Sequence, residues 1–418
     1  MKKLSFVDKA KLWAQITIEF SENIESHDMN IFRRVISPSL SPNCEADDVW
    51  GAVKTLFSPW KWKDGKELAD VKDWFRKRFG EAILFNSGRS ALHAILKAFD
   101  IGVGDEVIVQ AFTCVAVPNS VRWAGAKPVF ADIDEMYNID PESFENRITK
   151  KTKAVIVQHT FGRSANMKAI LPIAKKHNLL VIEDFAHSMS LPMQGDAAFF
   201  SFGRDKVLSS VWGGAAIIST KHEARSTKLK QYQEKLPMPN AFWIFQQLLH
   251  PMMFTVILPT YNMGIGKLLL VLLQKLRLLS FPVYPEEKTG KQPSDFPARY
   301  PNALAALLLR QLHKLDRFTR QRREISKHYG EEDAYLRFPM QVSDPEAVRD
   351  RAKARGILLG NWYHNIVDPN GVDFAAIGYQ PGSCPKAEEA SQHIINLPTR
   401  VTSKQAFDIL QLVRIYDT

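Results

Sequence analysis

Cysteine is scarce in this chain: there are three in 418 residues. Cys44, Cys114 and Cys384 lie far apart, with no C-x-x-C pair and no metal-ligand spacing. That excludes a disulfide framework, gives no ground for a metal site, and fits a reducing, cytoplasmic setting. The first residues, Met1-Lys2-Lys3-Leu4-Ser5-Phe6-Val7-Asp8-Lys9, reach a charge before any apolar run of signal-peptide length, so no secretory signal is expected. Also missing is a basic stripe interleaved with aromatics. The formal net charge of +10 is spread along most of the chain, which argues against nucleic acid and leaves anionic lipid or small anionic substrates. No internal repeat or low-complexity tract stands out. The remaining composition, 45% hydrophobic and 24% charged, is that of a folded protein long enough for one major domain and a smaller one.

A second absence is local. Between Glu234 and Glu286 there is no Asp or Glu, and from Leu236 to Gly266 there is no Lys or Arg either; Lys267, Lys275 and Arg277 follow. The stretch holds Phe242-Trp243-Ile244-Phe245, Met252-Met253-Phe254 and Leu268-Leu269-Leu270-Val271-Leu272-Leu273. Pro251, Pro259, Gly264 and Gly266 interrupt it before it reaches the ~20 apolar residues of a spanning helix. Two readings compete: a buried helical pair or enlarged dimer interface, and a monotopic insertion into an anionic membrane surface. Cations kept and acids absent favour the membrane, with residues 236–284 as the contact.

The chain divides at these changes in pattern. Residues 1–75 read as a helical arm carrying Trp13, Trp50, Trp60, Trp62 and Trp74. Residues 76–234 alternate short apolar runs with helix-length segments. Strands are expected at Ala82–Phe85, Glu106–Val109, Pro128–Phe130, Ala154–Gln158, Leu179–Glu183, Ala197–Phe202 and Ala215–Ser219. Helices are expected at Ser90–Phe99, Val115–Trp123, Pro141–Ile148 and Met167–His177. Such alternation predicts an α/β domain with a mainly parallel sheet flanked by helices. Residues 235–290 form the apolar insertion. Residues 291–418 predict one long helix over 302–330 and a small α+β domain.

Ligands of such sheets bind beyond the strand C-termini. There the strand Leu179-Leu180-Val181-Ile182-Glu183 runs into Asp184, with His187 three residues on. About twenty residues later comes Ser201-Phe202-Gly203-Arg204-Asp205-Lys206, then Gly213-Gly214. An Asp at a strand end and a Lys on a following turn suit pyridoxal 5'-phosphate: the amine bonds the cofactor aldehyde, and the carboxylate keeps the pyridine nitrogen protonated. Ser87-Gly88-Arg89-Ser90-Ala91-Leu92 joins a strand to a helix, and its exposed amides and Ser90 hydroxyl suit a phosphate. Ser201 offers a further phosphate contact.

These residues resemble the DegT/DnrJ/EryC1/StrS group of sugar aminotransferases, which are fold-type I pyridoxal phosphate enzymes. The likeness extends through Gly104-Asp105-Glu106-Val107-Ile108-Val109, Gln158-His159-Thr160-Phe161-Gly162, Cys384-Pro385-Lys386-Ala387-Glu388 and Asn396-Leu397-Pro398. It implies a homodimer that moves an amino group, usually from glutamate, to a keto group of a nucleotide-linked sugar. By that resemblance Lys206 is the catalytic residue, Asp184 pairs with the ring nitrogen and His187 lies by the ring. Gly88, Arg89, Ser90 and Ser201 hold the phosphate, and Arg299 matches a basic residue given to the partner subunit. The chain departs from the family pattern twice. Cys114 stands where an aromatic usually covers the cofactor ring, and the 235–285 segment is far more apolar. A sugar dehydratase of the same family would carry His in place of Lys206, and a non-catalytic membrane scaffold would not need Lys206, Asp184 and Ser201. The expected protein is therefore an aminotransferase for surface polysaccharide or glycan synthesis. Its expected place is the cytoplasm, peripheral to the inner face of the plasma membrane.

Overall fold

The apolar runs of the middle of the chain pair edge to edge into one sheet. In a computed structural model, which describes residues 35–417, eight strands occur before residue 220. They are β1 (Ala82–Phe85), β2 (Glu106–Gln110), β3 (Thr113–Cys114), β4 (Lys127–Ala131), β5 (Thr152–Gln158), β6 (Leu180–Asp184), β7 (Ala197–Ser201) and β8 (Gly214–Ile218). Seven of them form the sheet, in the order β1-β8-β7-β6-β5-β2-β4, and β3 stands apart. β8 runs antiparallel to both its neighbours, and the other pairings are parallel.

Burial explains the lack of polar alternation in these strands. β2 and β8 are buried along their whole length, as a sheet covered on both faces requires. Successive side chains still point to opposite faces. Val107, Val109, Ala154 and Ile156 join the core under the helix Gly88–Ala98, whereas Ile108, Val155 and Val157 join the one under Met167–Lys176. At the other end of the sheet, Leu84, Phe200 and Ile217 meet Phe75 and the helix Asn302–Leu312. Phe75 is fully buried edge-on against Phe200, with ring centroids 5.3 Å apart; Phe75→Ala would leave a cavity costing about 3–5 kcal/mol.

Of the N-terminal arm, Trp13 falls outside the described residues. The helices Ala46–Leu56 and Lys66–Arg78 pack on Asn302–Leu312. Trp50 and Trp60 are exposed, and none of the arm's described tryptophans lines the cavity described below.

The single helix expected over 302–330 is two, Asn302–Leu312 and Leu315–Tyr329. No Pro or Gly marks the break. The Lys314 amide closes a tight turn on the Gln311 carbonyl, and its Nζ reaches Glu45, Asp47 and Asp48 at 3.3, 2.5 and 2.9 Å. Those carboxylates cluster at the start of Ala46–Leu56, where they also complement the helix dipole. Tertiary ion pairing thus overrides an unbroken helical pattern.

The apolar segment forms a helical hairpin, Ala241–Ile257 and Ile265–Lys275. The first helix is largely internal: Trp243, Ile244, Leu248 and Phe254 are buried, and it packs on Ala46–Leu56. The second buries only Gly266 and Leu273. Among the described residues no helix is long and apolar enough to cross a membrane. The C-terminal lobe pairs β9 (Arg337–Gln341) antiparallel with β11 (Ile394–Pro398). A short strand, β10 (Val367–Asp368), pairs parallel with β3, tying the lobe to the large domain at Cys114.

Candidate active site

At the C-terminal ends of β6 and β7 the large domain and the lobe enclose a cavity of about 370 Å³. Asp184, His187, Ser201, Lys206, Gly88, Arg89 and Cys114 all line it. The sequence scatters these residues over more than a hundred positions, and the parallel crossovers bring them to one edge.

Lys206 sits on the turn after β7, where its amide donates to the Gly203 carbonyl at 3.1 Å. Asn43 anchors the turn from behind, its Nδ2 donating to the carbonyls of Lys206 and Val207 at 2.6 and 3.1 Å. The buried Arg322 donates to the same Val207 carbonyl and to Asn43 Oδ1. The side chain is held too: Nζ lies 3.2 Å from His187 Nε2 and 4.3 Å from the centroid of the Trp362 ring. Burial lowers the Lys206 pKa from its ordinary value, with Asp205, Cys114 and Asp184 opposing the shift. A desolvated amine of this kind is partly deprotonated and nucleophilic.

Asp184 ends β6. Its Oδ1 accepts the Ala186 amide at 2.8 Å, but burial dominates and raises the carboxyl pKa to about 6. His187 follows on the same turn. Its Nδ1 accepts the Phe161 amide at 3.2 Å, and Tyr363 Oη lies 3.2 Å from its Nε2. Burial drives the imidazole pKa well below its usual value.

The turn between β1 and the helix Gly88–Ala98 forms the other wall. Ser87 caps the helix through its hydroxyl, which accepts the Ser90 amide at 3.1 Å. Gly88 presses on β7: a Cβ there would meet the Ser201 side chain at 2.9 Å. The first amides of a helix have no intrahelical acceptor. With the Ser87 and Ser201 hydroxyls beside them, they make a site suited to a phosphate. An anion cradle, a desolvated amine and a buried carboxyl in one cavity fit pyridoxal phosphate.

Two expected site residues, Ser90 and Arg89, lie differently, and Arg299, expected to serve a partner subunit, is placed away from its own cavity. Ser90 does not line the cavity; its hydroxyl bonds Asn86 Oδ1 at 2.7 Å and Ser87 Oγ at 2.8 Å, because the helix cap turns it inward. Arg89 lines the cavity, but its guanidinium is committed to the buried carboxylate of Glu287 and the Pro282 carbonyl. It is also flanked by the Trp212 and Phe296 rings, at 4.9 and 5.1 Å. The segment after the apolar hairpin brings Glu287 there, and a buried carboxylate requires a cation. Arg299 lies outside the cavity of its own chain, 4.0 Å from Asp64, with its amide bonded to the Pro237 carbonyl.

Other lining residues could not be placed from the sequence. Trp362 and Tyr363 enter from the lobe, stacked 5.7 Å apart, and Trp362 lies 5.2 Å from the His187 ring and nearly parallel to it. The fully buried Arg337 sits 3.4 Å behind Trp362 and pairs with Asp205 at 3.0 Å. The far wall is Phe281, Pro282 and Val283. Ser280, just before it, accepts the Trp212 indole and one arm of Arg204 at its hydroxyl and the other arm at its carbonyl, and its hydroxyl donates to Gln247 Oε1.

Residues 43–237 match the model of the DegT/DnrJ/EryC1/StrS aminotransferase family. The chain is 29% identical over 361 residues to a pleiotropic regulatory protein of Geobacillus stearothermophilus, covering 79% of this chain and 82% of that one. It is 36% identical over 220 residues to the GDP-perosamine synthase of Caulobacter vibrioides, covering 50% of this chain but only 58% of that one. Among solved structures, Helicobacter pylori PseC, an aminotransferase involved in pseudoaminic acid biosynthesis, superposes with a TM-score of 0.68 at 19% identity, over 92% of this chain and 99% of that one. That likeness speaks for the fold.

Proposed function

Because the chain belongs to the DegT/DnrJ/EryC1/StrS aminotransferase family, whose cofactor is pyridoxal phosphate, we propose that it moves an amino group from glutamate to the keto group of a nucleotide-linked sugar. The observation that carries this reading is the Lys206 amine, desolvated and held against His187 in the same cavity as Asp184. The name of the perosamine synthase relative supports a nucleotide-linked sugar as acceptor.

Bound pyridoxal phosphate supplies a carbonyl that accepts an amine and a ring that takes up the electron pair of a carbon losing its proton. Every other task falls to the chain. The Gly88 and Arg89 amides with Ser87 and Ser201 bind the phosphate. Asp184 holds the proton of the ring nitrogen, a role that requires its ionised form. Lys206 Nζ takes the proton from the donor's α-carbon and returns it to a neighbouring carbon. His187 orients Nζ for both transfers. Trp362 and Tyr363 shut out water, which strengthens each of these electrostatic contacts.

The reading includes a homodimer in which Arg299, placed outside its own cavity, serves the partner's site. It also includes a cytoplasmic role in surface polysaccharide or glycan synthesis. The test is incubation of the purified protein with glutamate and a panel of GDP-, dTDP- and UDP-linked keto sugars, scoring 2-oxoglutarate and amino sugar together. One acceptor should turn over, and Lys206→Ala should remove the activity and the visible band of the bound cofactor. A Lys206→Ala variant with full transamination and an unchanged band would overturn the assignment.

A further inference from the structure

The hairpin's second helix, Ile265–Lys275, turns a surface outward that none of the described residues covers. Its inner side is well fixed: Leu273 is buried, Leu269 and Leu270 pack on Phe254, Ile257 and Leu258, and a Cβ on Gly266 would strike the Ile257 carbonyl. The outer side should then be polar. Instead Ile265, Leu268 and Leu272 are each about half exposed, and Leu276 is 57% exposed. With Val271, at about 100° per residue, they occupy one arc of about 140°. Lys275 lies within that arc, and Arg277 follows in the exposed turn.

We propose that this face docks on an anionic lipid bilayer, lying in the plane of the headgroups without crossing them. Charge decides between a bilayer and a second copy of the chain. No Asp or Glu occurs between Glu234 and Glu286, so a twofold contact through this helix would set Lys275 and Arg277 near their equivalents with no carboxylate from the segment between them. Anionic headgroups supply the opposite charge. Size points the same way. An 11-residue helix is about 16 Å long and offers on the order of 200–300 Å² on one side. A stable protein interface needs about 800 Å² per partner. A bilayer sets no such minimum, because it takes up apolar side chains singly and the cations add to the binding. The inference stands on the surface alone and does not depend on which sugar the enzyme aminates.

The experiment is co-sedimentation of the full-length protein with vesicles of phosphatidylglycerol and phosphatidylcholine, and with phosphatidylcholine alone. The wild type should pellet with the anionic vesicles, and less so at raised salt. Leu268→Glu/Leu272→Glu should lower the partition coefficient about tenfold or more. Both positions are exposed and remote from the cavity lining, so the variant should keep its thermal midpoint, its cofactor band and its mass by light scattering. No pelleting of wild type on anionic vesicles would overturn the proposal. So would a fall in the variant's mass without lipid, since the face would then join two copies of the chain.

Discussion

Lys206 Nζ lies 3.2 Å from His187 Nε2 while the other nitrogen of the same ring accepts the Phe161 amide. A neutral imidazole has one donor and one acceptor nitrogen, so Nδ1 acting as acceptor places the proton on Nε2. Nε2–H has two acceptors within 3.2 Å, the Tyr363 hydroxyl and the Lys206 nitrogen, and the nitrogen can accept only as a neutral amine. Where that contact forms it favours the deprotonated lysine, in the same direction as burial.

His187→Phe removes that donor while keeping a ring beside Trp362. The Lys206 pKa should rise, and the acidic limb of its reactivity should move to higher pH by about one unit, the equivalent of one hydrogen bond. The rate at which cofactor-free protein captures pyridoxal phosphate, followed by absorbance from pH 6 to 10, reads this directly. An unmoved limb would mean that burial alone sets the amine.

Asp184 gives a pH dependence of stability in the cofactor-free protein. Its carboxyl rises from 3.8 to about 6 on folding, so the folded state binds the proton more tightly. The associated stability is complete below pH 4 and is lost as pH rises through 6, a fall of roughly 3 kcal/mol. His187, depressed by burial, acts in the opposite sense, losing stability as pH falls below its unfolded value. The difference between wild type and Asp184→Asn isolates the carboxyl. Denaturant midpoints at pH 4.5 and 7.5 should diverge, with the Asn variant the more stable at 7.5 and unable to support turnover.

Arg89 and Glu287 form a buried pair, and breaking it from one side leaves an uncompensated charge. Glu287→Ala should cost about 3–5 kcal/mol, and Arg89→Met/Glu287→Leu much less. Urea unfolding of the three proteins measures this. Equal losses in the single and double variants would show that no charge is stranded.

Trp362 covers Lys206 from the lobe, in the cavity that Cys114 also lines. Trp362→Ala should weaken cofactor retention about tenfold, and Trp362→Phe should restore most of it. Equilibrium dialysis of the cofactor, with the thermal midpoint as a folding control, separates this from general damage.

The large domain was legible because each strand is a short buried run set off by turn residues. The runs predicted seven strands, and all seven pair in the sheet with ends shifted by one or two residues. That Asp184, Ser201 and Lys206 would gather at one sheet edge was legible because chemistry-bearing side chains at strand ends stand out against apolar neighbours. Ser90 was misplaced because a hydroxyl in the first turn of a helix serves a cap as readily as a ligand, and only Asn86 and Ser87 decide which. The Arg89 pairing was hidden because Glu287 lies 198 residues away. Trp362 and Arg337 could not be placed for the same reason: their position follows from how the lobe docks. The apolar segment was read as one surface, but its first helix is largely covered and its second faces outward, since periodicity cannot say which of two apolar helices is covered.

Ser280 joins the hairpin to the cavity, with Gln247, Arg204 and Trp212 on its side chain and carbonyl and Phe281 next in the chain. The apolar hairpin is consequently not a cassette that can be cut out. Excising 240–280 would strip partners from two buried polar side chains and let go of the wall at Phe281–Val283, so an inactive deletion protein would be silent about lipid. Surface and pocket can be told apart only by changes confined to the outer face of the second helix.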